Sequence, residues 1–122
     1  MSELLQVVVN AVDDKKANQI IVLDMHEVNP WVDYFVVCDA QSLRQVHAIA
    51  DNAVEQAEKA GFYVDHVEGG EESDWLLVDC GNVVVHVFSA DARQVYQLER
   101  LWADKIVKRL IIRSWRGITT AW

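Results

Sequence analysis

Apolar residues recur along most of this chain at spacings that name their elements. Leu4, Leu5, Val8, Val9 and Val12 share one side of a helical period, which predicts a short amphipathic helix over 2–13. Ile20-Ile21-Val22-Leu23 is a continuous, mostly β-branched run, too short for a buried helix, and predicts an interior strand. Asn29-Pro30 marks a turn before a second strand, Asp33-Tyr34-Phe35-Val36-Val37-Cys38. Ser42 and Gln45 have the spacing of a capping box, and Leu43, Val46, Ile49, Ala50, Ala53, Val54 and Ala57 then form one apolar helical face. Arg44, His47, Asp51, Glu55 and Glu58 fall opposite, with His47 read as a solvated surface residue, and Gly61 is a fitting stop.

Phe62 to Val67 alternates weakly and reads as a shorter strand, followed by a polar loop over 68–73. Trp75 to Cys80 and Val83 to Phe88 are two strands around Gly81-Asn82, a pair that favours a tight hairpin turn. A last helix is expected to start near Asp91 and run through Val95, Leu98, Leu101 and Trp102, with Tyr96, Glu99 and Trp102 sharing part of a face. The order α-β-β-α-β-β-β-α implies an α/β (α+β) fold, a mixed β-sheet with helices packed on it.

Charge divides the chain unevenly. The 122 residues carry 11 Lys plus Arg and 19 Asp plus Glu, a formal net charge of -8. All 19 acidic residues and six basic ones lie in 1–104, a net of -13, whereas 105–122 hold Lys105, Lys108, Arg109, Arg113 and Arg116 and no acid. An acidic body argues against a general nucleic-acid binder, which would show a basic stripe. The start Met1-Ser2-Glu3-Leu4-Leu5 is neither a signal nor a transit peptide, and no apolar run approaches a membrane span. Cys38 and Cys80 sit inside apolar runs and read as small buried hydrophobes of a reducing cytosol. A soluble, cytoplasmic protein is the expectation.

The common catalytic constellations are missing from the sequence. His26, His47, His66 and His86 are widely separated, as are the two cysteines, so no short-spaced metal site is expected. Gly69-Gly70 is followed by acids instead of the Lys-Ser/Thr of a phosphate loop. Cys80 and His86 could be neighbours on one sheet face, yet Asp79 opposes a catalytic thiolate there. Asp24, Asp33 and Asp79 lie at strand ends, where most aspartates are caps or turn residues, and none forms an Asp-x-Asp pair on a strand. The expectation is a protein that is not an enzyme and takes no cofactor and no metal.

Several stretches together resemble one family. They are 33–38, then Ser42-Leu43-Arg44-Gln45-Val46-His47-Ala48-Ile49-Ala50-Asp51, Glu68-Gly69, the run from Trp75 to Phe88, and Tyr96-Gln97-Leu98-Glu99-Arg100-Leu101-Trp102-Ala103-Asp104. In unbroken order over 2–104 they resemble the ribosomal silencing factors, also called the Iojap family. That resemblance implies binding to the large ribosomal subunit through ribosomal protein L-fourteen and a steric block to small-subunit joining, which lowers translation when nutrients are scarce. It also implies a nucleotidyltransferase-like fold without the catalytic carboxylates, relatives that act in large-subunit assembly, and self-association into homodimers in some members. A divergent nucleotidyltransferase remains the enzymatic alternative.

By the same resemblance the contact surface combines the second hairpin with the last helix. Trp75, Tyr96 and Trp102 are its expected anchors, with Leu98 and Leu101 behind them and Asp79 and Glu99 as acceptors for Lys or Arg. His86 is either a contact or a structural hydrogen-bond donor. The acidic body suits a basic ribosomal protein, since complementary charge speeds encounter and fixes orientation. Cys80 and Asn82 depart from the family's usual aromatic residue and aspartate. The chain thus reads as a domain over 1–104 and a basic tail over 105–122. For that tail a helical extension on the acidic body, a contact to rRNA and an addition foreign to the natural chain all remain open.

Overall fold

A computed structural model describes residues 3–110, with side chains through Lys105. Its first helix, α1 (Glu3–Asp14), exists because its apolar stripe has a sheet to cover: Leu4, Leu5, Val8, Val9, Ala11 and Val12 are all buried. The chain then forms β1 (Asn18–Asp24), β2 (Tyr34–Ala40), α2 (Leu43–Lys59), β3 (His66–Glu68), β4 (Trp75–Asp79) and β5 (Val83–Ser89). Two short helices, α3 (Ala90–Tyr96) and α4 (Leu98–Leu101), a 3-10 turn over Ala103–Lys105 and β6 (Ile106–Leu110) complete it. The fold is α+β with one mixed, six-stranded sheet in the order β3-β4-β5-β2-β1-β6. Only β2 and β5 pair in parallel, Tyr34 opposite Val83 through Ala40 opposite Ser89; the other neighbours are antiparallel.

Residue alternation gives the sheet two different faces. Ile20 and Val22 of β1, Val36 and Cys38 of β2, Leu76 and Val78 of β4, and Val83, Val85 and Val87 of β5 meet α1 and α2 in the larger core. Ile21, Leu23, Val37 and Phe88 point the other way, with Ala92 of α3, into a second and smaller core. Burial on both faces explains why Ile20-Ile21-Val22-Leu23 is apolar at every position. α1 and α2 are sutured by Asn52, whose buried Nδ2 donates to the Ala11 carbonyl at 2.8 Å.

Local differences from the sequence expectation have physical causes. At the start of α2, Ser42 Oγ accepts from the Gln45 amide at 3.2 Å as a cap should. The Gln45 side chain does not complete the box; its Nε2 donates instead to the Lys15 and Lys16 carbonyls, at 3.3 and 3.2 Å, at the end of α1. At the far end Gly61 (φ 90°) closes α2 as a Schellman motif, Gly61 N–H donating to Glu58 and Phe62 N–H to Ala57. The strand expected over Phe62 to Val67 shrinks to β3, because Phe62 and Val64 are spent packing on the core. His47 is half-buried, not solvated: its Nε2 donates to the Glu71 carbonyl at 2.9 Å and holds the acidic loop to α2.

The last helix is not continuous. It is capped by Ser89, whose Oγ accepts from Ala92 N–H at 3.1 Å, and it breaks at Gln97, a left-handed residue with φ 46°. The helical alternative for the tail fails over 106–110, where the chain is extended and pairs antiparallel with β1. Residues 111–122 lie outside the described residues.

Gly69 (φ 113°) shows how closely the acidic loop approaches β4: a Cβ there would meet Leu76 Cδ2 at 2.4 Å and the Trp75 carbonyl at 2.9 Å. Gly69→Ala should therefore destabilise the fold by about 1–3 kcal/mol. Gly70→Ala, which would meet nothing within 4 Å, should stay within about 0.5 kcal/mol of wild type. Urea unfolding of the two variants side by side checks the pair.

Candidate functional site

The second face of the sheet gathers most of the residues singled out by the sequence. Among the described residues, α3, α4 and neighbouring loops cover it, and Phe35, Trp75 and Trp102 stay half-buried around a fully buried Phe88. Rings run across it in contact. Tyr96 lies 4.8 Å from Trp75, Trp75 lies 4.9 Å from Phe88, and Phe35 bridges His86 at 4.6 Å and Trp102 at 5.7 Å, centroid to centroid. These offset and edge-on distances are those of favourable aromatic packing. Around the layer, Tyr96 is 50% exposed, Leu101 68% and Val95 77%. Leu98 packs against the layer from α4.

Trp75 and Trp102 are each half-buried, packed against the smaller core. His86 is different. It is 4% exposed, and its Nδ1 accepts from Trp75 Nε1 at 3.2 Å, so toward Trp75 it is a buried acceptor and not a surface contact, while its protonated Nε2 is buried with no partner among the described residues. Burial pulls its pKa down to about 4.

The two acidic candidates are already engaged within the chain. Glu99 Oε2 accepts from Arg93 Nε at 3.1 Å, and the left-handed bend at Gln97 takes Glu99 off any face shared with Tyr96 and Trp102. Asp79 Oδ1 accepts from Gly81 N–H at 2.8 Å, and its other oxygen lies 3.7 Å from His66 Nδ1. That imidazole also meets Asp65 at 2.8 Å and Glu68 at 2.7 Å; its bond to Asp65 leads in raising its pKa. Asp24 and Asp33 are turn residues as well, clasping His26 at 2.5 and 3.2 Å.

Cys80 and His86 do not meet on one face. Cys80 belongs to the aliphatic core and His86 to the aromatic side, since an even spacing that spans the hairpin does not preserve the face. Desolvation raises the Cys80 thiol to about 11 and the Cys38 thiol to about 12, the opposite of nucleophile activation.

Two features escaped the sequence reading. Trp31, on the loop between β1 and β2, is 80% exposed. Arg93 is buried, and its Nη1 donates to the Gln19 carbonyl at 2.6 Å and to Asp39 Oδ2 at 3.1 Å. Burial pushes the Asp39 carboxyl up, and the guanidinium pulls it back. A usable signal existed: Asp39 follows directly on an apolar strand, and a carboxylate there needs a buried cation.

His86 gives this face a signature in acid. Folding keeps it neutral while the unfolded chain protonates it near pH 6.5, so the unfolded state binds the extra proton and stability falls with pH through that window. Between about pH 7 and pH 4 the His86 contribution amounts to about 3 kcal/mol. His26 and His66, with raised pKa values, act in the opposite sense, their contribution being present at low pH and lost as pH rises through the folded value. Imidazole NMR titration should show His26 and His66 titrating above the ordinary value and His86 staying neutral until about pH 4.

The profile of the family described as "Ribosomal silencing factor during starvation" matches residues 1–118. A "Ribosomal silencing factor RsfS" of Halalkalibacterium halodurans is 47% identical over 102 residues, 84% of this chain and 87% of its own length. The mouse "Mitochondrial assembly of ribosomal large subunit protein 1" is 30% identical over 80% of this chain and 44% of its own length. A crystal structure from Chromobacterium violaceum superposes with a TM-score of 0.80 at 32% identity, over 93% of this chain and 97% of that one. A second, from Bacillus halodurans, gives 0.77 at 45% identity, over 87% and 97%. The chain belongs to the family of ribosomal silencing factors.

Proposed function

We propose that this protein binds the large ribosomal subunit through ribosomal protein L-fourteen and thereby blocks joining of the small subunit. The observation that carries the reading is the half-open aromatic face, with Trp75, Tyr96 and Trp102 rimmed by the exposed Leu101. Large apolar surfaces left exposed on a small domain mark interaction sites, and Trp and Tyr are the residues that dominate such interfaces. The net -13 of residues 1–104 suits a basic partner and favours fast, oriented encounter. His86 supports Trp75 from below instead of touching the partner, and Asp79 and Glu99 contribute to the local field while held by their own neighbours.

The action is steric. A nucleotidyltransferase-like ancestry of the fold is part of the same reading, with no catalytic role assigned: the three strand-end aspartates weighed in the sequence are all committed to turns. The relationship to a mouse protein named for ribosomal large-subunit assembly favours a second reading, assembly of that subunit. Among the described residues no helix is long and apolar enough to cross a membrane, and we place the protein in the cytoplasm with its ribosomal target.

Co-sedimentation with isolated large subunits, followed by subunit joining on a sucrose gradient, tests the reading. Wild type should bind and reduce joined ribosomes; failure to bind at low salt would sink it. Trp102→Ala should weaken binding by about 2 kcal/mol or more if this ring is a hot spot. Leu101→Ala removes an exposed side chain and should weaken binding with no change in the melting temperature. Protein that binds but leaves joining untouched would favour the assembly reading.

A further inference from the structure

The two parallel strands are followed by helices that depart to opposite faces. After β2 the chain enters α2, over the aliphatic core; after β5 it enters α3, over the aromatic side. Outside the carboxyl ends of such strands open sheets leave a crevice, and ligands favour it. Here a cleft of about 440 Å³ occupies that position, lined from the start of β1, the end of β2, α3 and α4. Its volume is in the range of small-molecule sites.

The chemistry of the cleft is specific. Two guanidinium groups, Arg93 and Arg100, and two carboxylates, Asp39 and Glu99, line it, and most of the remaining lining is carboxamide, including Gln41 and Gln94. Charges of both signs are present in equal number. Arg93 uses Nε for Glu99 and Nη1 for Asp39 and the β1 carbonyls. Among the described residues its Nη2 is buried with no hydrogen-bond partner, and so is Glu99 Oε1. One orphan is a donor and the other an acceptor, and both side chains line the cleft. Buried polar atoms in that condition call for an acceptor and a donor respectively, and a ligand that carries both can serve the pair. A simple anion would meet Asp39 and Glu99, and a simple cation would meet Arg93 and Arg100.

We propose that this cleft binds a free α-amino acid, with the ligand carboxylate on the Arg93–Arg100 side and its ammonium on the Glu99–Asp39 side. Gln41 and Gln94, both exposed at the cleft, offer amide donors and acceptors to the rest of the ligand. The proposal is independent of ribosome binding and stands or falls on the isolated protein.

Titration of the 15N-labelled full chain with individual proteinogenic amino acids, followed by amide NMR shifts, tests it. At least one amino acid should shift Gln41, Gln94 and Arg100 saturably at concentrations up to about 10 mM. Its N-acetylated and carboxamide-blocked forms, each lacking one charge, should not. Arg100→Gln alters an exposed residue, so the melting temperature should hold while the Kd rises about tenfold. The proposal is overturned if no amino acid gives saturable shifts there, if the blocked forms bind equally well, if inorganic phosphate alone saturates the same amides, or if Arg100→Gln leaves the Kd unchanged.

Discussion

The Arg93 guanidinium is the point on which the arrangement of the aromatic face depends. It ties the β1 carbonyls of Asn18 and Gln19, the Asp39 carboxylate of β2 and Glu99 of α4 into one buried cluster. A buried charge is costly unless its partners are complete, so each of these contacts makes the others necessary. Residues six apart in a straight helix lie about 9 Å apart along the axis and face different ways. Glu99 can reach Arg93 because Gln97 takes a left-handed conformation and restarts the helix as α4. That restart sets Leu98 and Trp102 down against Phe35 and the rest of the ring layer.

The two faces of the sheet divide the work of the molecule. One is filled with Val, Ile, Leu and Ala under two well-covered helices and supplies stability. The other carries bulky rings under short, bent cover, a poorer seal that leaves apolar area available. Hydrophobic burial is incomplete at Trp75, Tyr96 and Trp102, and the polar Trp75–His86 contact keeps the ring layer oriented without closing it.

How much of this was legible in the sequence depends on the range of the forces involved. α1, α2 and the strands β1, β2, β4 and β5 follow from local periodicity, and Ser42, Gly61 and Gly81 act through neighbouring backbone. Gln97 was not legible, because nothing about glutamine announces a left-handed residue; a contact outside its own turn fixes it there. β6 was missed for a similar reason. Ile106 and Val107 are sound strand formers, but a strand needs a partner, and β1 lies more than eighty residues earlier. For the candidate site, the aromatic residues of the hairpin and the last helix were readable as types, and the structure brings Trp75, Tyr96 and Trp102 to one face. Which side chains were already spoken for was not: Glu99 and Asp79 look like free surface acids until Arg93 and the Gly81 turn are seen.

β6 also covers one border of the sheet. Ile20-Ile21-Val22-Leu23 is an apolar, β-branched segment whose outer backbone groups are occupied by residues 106–110. At the opposite border lies β3, three residues long, preceded by Asp65 and ending in Glu68, a poor template for strand addition. Removing the basic tail to learn its role would strip one border bare and expose that segment to pairing between molecules. A truncated chain that clumps or precipitates would then be reporting an uncovered sheet edge, and its loss of activity would say nothing about what the tail touches.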